Sequence, residues 1–83
     1  MIPAIWQRCL TQLENEISDA DLNTWVRPLQ AHITDGSLCL MAPNRFVLEW
    51  VKDKYFERIS ELIKAMADPE VSHVDLNLSL IHI

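Results

Sequence analysis

The chain predicts an α+β domain, a three-stranded sheet with helices packed on it. Three observations carry this. Two alternating apolar segments flank Thr34-Asp35-Gly36-Ser37, and Asp-Gly between alternating runs is a strong hairpin signal. Apolar residues spaced three and four apart precede and follow that hairpin, which is helical periodicity. A third alternating segment, Val71–Leu78, comes last. The order is α-α-β-β-α-β. With 83 residues and 49% hydrophobic content there is material for one domain with one core.

Pro3 suits the first turn of a helix, where a missing N–H costs nothing. From there Ile5, Trp6, Cys9, Leu10, Leu13 and Ile17 follow one helical face, and the spacing predicts a first helix over about residues 3–16. Ser18 is a helix-capping residue, and Asp21 three positions on can close a capping box. The second helix is short, about 19–26, with Leu22, Trp25 and Val26 turned inward; Arg27-Pro28 ends it because a residue before proline avoids helical ψ. Leu29–Ile33 and Leu38–Ala42 are the hairpin strands. Pro43 breaks the second strand and Asn44 caps the next helix. That helix is predicted over about 45–66, with the stripe Leu48, Val51, Tyr55, Ile59, Leu62 and Met66. Repulsion along Asp53, Glu57 and Glu61 favours a kink near Asp53-Lys54. Asp68-Pro69 ends it.

The last residues, Leu78-Ser79-Leu80-Ile81-His82-Ile83, read two ways. The string matches a translated transposon-end sequencing adapter, which makes 1–77 the native domain and 78–83 a non-native tail; the other reading is a natural strand extension.

Charge and motifs exclude much. The formal net charge is −5, and proteins that grip nucleic acid through its phosphates are usually basic on the contact face. The start of the chain lacks a basic segment and a long apolar run, and no stretch of about 18 apolar residues spans a membrane. Two cysteines far apart, Cys9 and Cys39, fit packing roles in a reducing cytoplasm. No C-x-x-C or paired-ligand spacing is present, so neither a redox pair nor a zinc site is expected, and His32, His73 and His82 stand isolated. A single glycine, Gly36, forbids glycine-rich phosphate loops and the G-x-x-G clamp of KH-type nucleic-acid modules. No catalytic group and no bound cofactor are expected in this chain.

Four aromatic positions ask for an explanation. Trp25, beside Leu22 and Val26, reads as core. Trp50 lies at the edge of the long-helix stripe and reads as half-buried. Trp6 reads two ways: it is core, or, since Ile2, Ile5, Cys9 and Leu13 suffice as a core line, it forms with Leu10 a second line available to a partner. Phe46, two positions before the long stripe begins, either staples the start of the helix or stands out as an anchor.

The segments Ile5-Trp6-Gln7-Arg8-Cys9-Leu10, Thr24–Gln30 and Leu40–Tyr55 resemble the N-terminal domain (domain I) of the bacterial replication initiator DnaA, gammaproteobacterial type, over about residues 3–77. The carrying patterns are W-[IV]-x-P-L and A-P-N-x-F-x-x-x-W-[VI]-x-x-x-Y, in the family's order. The resemblance implies a small KH-like fold and a protein-interaction role at the replication origin. It implies self-association of initiator molecules through Trp6, with Ile5 and Leu10 beside it. It implies contact with the DnaB-type replicative helicase and a DiaA-type regulator through Asp21 and Phe46. At most weak single-stranded DNA contact follows, and no membrane partner. Close relatives carry glutamate at the position of Asp21; here the charge is kept and the carboxylate sits one methylene nearer the backbone. The family's ATPase domain, which would use ATP and Mg, and its origin-reading domain have no counterpart in these residues. Two readings of function therefore stand side by side: an adaptor with two protein-binding faces, or a KH-like nucleic-acid binder using Arg45, Lys52, Lys54 and Arg58.

Overall fold

A computed structural model of the chain describes residues 2–79. It is α+β: a three-stranded mixed sheet with its helices on one face. Helix α1 spans Ala4–Glu14. The Pro3 carbonyl opens it by accepting from the N–H groups of Trp6 and Gln7 at 3.0 and 3.1 Å. Helix α2 is a single turn, Asp19–Asp21, that runs directly into a π-helical turn, Leu22–Val26. The Arg27 N–H reaches back five residues to the Leu22 carbonyl at 2.8 Å. Ser18 caps α2 as expected, its Oγ accepting from the Asp21 N–H at 3.1 Å. The expected reciprocal half of the capping box is not made: among the described residues no hydrogen bond or ion pair engages the Asp21 carboxylate.

Strand β1 (Gln30–Thr34) and strand β2 (Ser37–Ala42) form the hairpin, antiparallel from Gln30↔Met41 to Thr34↔Ser37. Asp35 and Gly36 both have positive φ, 49° and 79°, the two-residue turn whose twist matches the strands it joins. Asn44 then caps helix α3 (Arg45–Lys54), its Oδ1 accepting from the Val47 N–H at 3.0 Å. The predicted single helix over 45–66 is in fact two. Tyr55, at φ −124°, leaves helical geometry, and helix α4 runs from Phe56 to Met66. A straight helix of that length would extend about 33 Å, as long as the 34 Å longest dimension of the molecule. The break one or two residues past Asp53-Lys54 lets the stripe Val47, Val51 and the stripe Ile59, Leu62, Ile63 both reach the same core. Ala67 ends α4 in the left-handed region, φ 50°.

Strand β3 (His73–Leu78) starts two residues later than expected and lies parallel to β2, from Ser37↔His73 to Ala42↔Leu78. A helical crossover between β2 and β3 is what makes a parallel pairing possible. The strand runs one residue past Asn77, and the Ser79 N–H donates to the Ala42 carbonyl at 2.7 Å. Residues 80–83 of the tail lie outside the described residues.

Leu38, Leu40 and Ala42 on β2 are fully buried under the helices and centre the core. The opposite face of the sheet carries the exposed Gln30, His32 and Thr34, and among the described residues no helix lies over it.

Candidate protein-interaction surface

The cap at Asn44 fixes where α3 begins, and therefore which side of it each residue faces. Val47 and Val51 turn into the core. Residues 46, 50 and 54, each four apart, then share a neighbouring strip outside it. Phe46 is 82% exposed and Trp50 41%. The Lys54 Nζ lies 5.5 Å from the centroid of the Trp50 ring, within cation–π range. Phe46 therefore does not staple the start of the helix; it stands in solvent.

The π turn supplies the other half. Leu22 and Val26 are buried, while Trp25 is only half-buried and stacks on Trp50 with ring centroids 4.9 Å apart and planes 20° from parallel. The expectation that Trp25 is core holds only in part: it packs against the core but is not closed into it. The stack is the bridge between the second helix and α3. Phe46 lies one α-helical turn before Trp50, and Asp21 lies on the helical turn that precedes the π turn carrying Trp25. Asp21 is exposed, with its carboxylate uncommitted. The surface is thus an aromatic ridge, Phe46 and the Trp25–Trp50 stack, with Lys54 over the Trp50 ring. Residue spacing shows the 46–50–54 strip; the Trp25–Trp50 pairing has no local signal, because it joins residues on separate elements.

The self-association residues are placed differently. Trp6 is 1% exposed and Ile5 3%, both in the core; Leu10 is half-buried. The expected core line beginning at Ile2 is wrong at its first member, since Ile2 is 50% exposed. Ile2 precedes Pro3 and so does not follow the helical register of α1. Trp6 takes the place in the core, and the groove it helps line runs along Arg27–Ala31. Trp6, Ile5 and Leu10 do not form an exposed apolar patch in the single chain.

A few charges hold elements together. Arg58 on α4 grips Glu16, between α1 and α2, with two bonds of 2.7 Å. Its guanidinium holds the Glu16 carboxyl down to about 2, and Arg58 is raised in turn by that hydrogen bond. Of the four bases grouped on the long helical segment, Arg58 is therefore committed to Glu16 and, at 3.5 Å, Glu61. Burial pushes the Cys9 thiol up to about 12, so it is un-ionised and inert in the core.

One constellation could be taken for chemistry. Ser37 Oγ is hydrogen-bonded to His73 Nε2, and Asp75 Oδ2 is 3.8 Å from that same nitrogen. In a nucleophilic triad the carboxylate must hold the nitrogen opposite the nucleophile. Here His73 Nδ1 instead meets Ser72 Oγ at 3.3 Å, and Ser72 N–H donates to the Gly36 carbonyl at 2.7 Å. The group clasps the hairpin turn to the start of β3. Among the described residues no three His, Cys, Asp or Glu side chains converge as a metal site, and no helix is long and apolar enough to cross a membrane.

The family model of the DnaA N-terminal domain matches residues 3–65. This chain belongs to the DnaA N-terminal domain family. The DnaA match contains α1, the π turn, the hairpin, α3 and nearly all of α4, hence every residue of the aromatic ridge. It places the chain among domains of the DnaA replication initiator.

Proposed function

We propose that this domain is the docking module of a DnaA initiator, and that its aromatic ridge receives the DnaB-type replicative helicase and a DiaA-type regulator. The observation that supports this best is Phe46: a phenylalanine 82% exposed, at a helix start that fixes its direction, beside a half-exposed tryptophan stack. A rigid aromatic left in water at a fixed position is the usual form of a binding anchor. Asp21 supplies the charged contact at the rim. Initiator self-association is the second part of the proposal, on the side of the molecule where α1 meets Arg27–Ala31.

Capture of the purified helicase on the immobilised domain tests the first part. Burying a phenylalanine is worth about 1.5–3 kcal/mol, so Phe46→Ala should weaken capture roughly 10- to 100-fold with an unchanged circular dichroism spectrum. Unchanged capture, or an unfolded variant, refutes the anchor role. A second reading, single-stranded DNA binding, is favoured by Lys54 over Trp50. Binding of an oligonucleotide at micromolar concentration with a steep salt dependence would support it over the docking reading.

A further inference from the structure

We propose that two copies of this chain pair through the free edge of β1, antiparallel about a two-fold axis at His32, to make a continuous six-stranded sheet. The inference rests on the self-association part of the proposed function, and it locates the contact on a strand edge, with α1 behind it.

The hairpin fixes which backbone groups are free. Thr34 and Ser37 close the two-residue turn as a hydrogen-bonded pair. Pairs then alternate along the ladder. His32 and Gln30 therefore spend their N–H and C=O groups on β2, while Ala31 and Ile33 point theirs outward. A second β1 laid antiparallel, with His32 opposite His32, sets Ala31 opposite Ile33 twice and forms four main-chain hydrogen bonds. Both half-buried side chains, Ala31 and Ile33, stay on the helix side of the enlarged sheet. The two exposed His32 side chains meet on the outer face, with Cα atoms about 4.5 Å apart.

Charge selects this edge over others. The chain carries −5, so like charge opposes association of two copies, and a contact free of acids adds nothing to that repulsion. Gln30–Thr34 has no charged residue, no proline and no bulge, the devices that ordinarily guard a free edge. The opposite edge, β3, has Asp75 in mid-strand. Beside β1 lies an open groove of about 490 Å³ lined by Ile2, Pro3, Ala4, Gln7, His32 and Ile33, also without a charge. Ile2, 50% exposed, stands at this edge and is covered when the edges pair. The buried Trp6 sits behind the same region, on the groove along Arg27–Ala31. It supports the edge from within.

A five-residue strand pair with Ile2 falls below the roughly 800 Å² per partner of a standard interface, so the association is weak and depends on concentration. Sedimentation equilibrium of the 83-residue chain from about 10 μM to about 1 mM tests it. The wild-type average mass should rise toward the dimer. His32→Glu and His32→Lys, each placing like charges together at the axis, should dimerise at least tenfold more weakly. An equal mixture of the two should recover the dimer, because opposite charges then face each other. All should share one circular dichroism spectrum. A His32→Glu variant that dimerises like wild type overturns the edge contact while leaving self-association standing. Failure of the mixture to recover also overturns it. A wild-type chain that stays monomeric throughout refutes the self-association reading as well.

Discussion

At the scale of the residue, exposure separates two kinds of tryptophan. Trp6 is 1% exposed, and replacing a buried aromatic by alanine costs about 3–5 kcal/mol. A domain of this size holds only about 5–10 kcal/mol in all. Trp6→Ala should therefore lower the denaturant midpoint by a third or more, measured by urea unfolding. A loss of self-association in that variant reports a weakened fold as well as any lost contact. Leu10, half-buried, is the member of the expected trio that can be changed at small cost. Trp50 and Trp25 differ because their faces cover each other and leave their edges wet. Phe46→Ala, by the same reasoning, should leave stability within about 0.5 kcal/mol of wild type.

At the scale of the element, the ends of helices decide what is displayed. Asn44 sets the first turn of α3 and with it the direction of Phe46; Ser18 does the same for Asp21. Ser18 takes the Asp21 N–H, and the Asp21 carboxylate makes no return bond to the Ser18 N–H, so it is left for the outside. Ala67 closes α4 at φ 50°, where a Cβ is crowded by the following carbonyl. Ala67→Gly should raise stability by about 0.5–1 kcal/mol, read as an upward shift in thermal midpoint, with helicase capture unchanged. An unchanged or lower midpoint would mean that the left-handed residue carries no strain. The break at Tyr55 belongs here too. It has no proline or glycine to announce it; the charge pattern pointed to Asp53-Lys54, and the need to bury two stripes on one core placed it at Tyr55.

At the scale of the molecule, one ion pair ties the first two helices to the fourth. Glu16, held near 2 by Arg58, has an ordinary value of 4.5. A carboxyl lowered in the folded state adds stability that is fully present above its unfolded value and is lost as pH falls through the folded one. Wild-type stability should thus decline from about pH 4.5 to about pH 2. Glu16→Gln should show a shallower decline across that window and be less stable than wild type at pH 7, both measured by urea midpoint. Equal slopes for the two proteins would remove Glu16 from the account.

The sequence by itself determined the class, the element order, the hairpin turn at Asp35-Gly36, both caps and the family, because each rests on local chemistry within a few residues. It also put Phe46 at the start of a helix and Asp21 in the first turn of another, where the structure has them, both exposed; their role as contacts belongs to the proposed function. Only the tertiary structure decided which aromatics are wet. Trp6 and Trp25 both lie beside apolar neighbours in sequence, yet Trp6 is closed into the core along Arg27–Ala31, whereas Trp25 packs on the core by one side and stacks on the exposed Trp50 by the other. That depends on how elements distant in sequence pack together, and no periodicity within one helix encodes it. The same holds for the free edge of β1, whose existence follows from β3 joining the other side of β2.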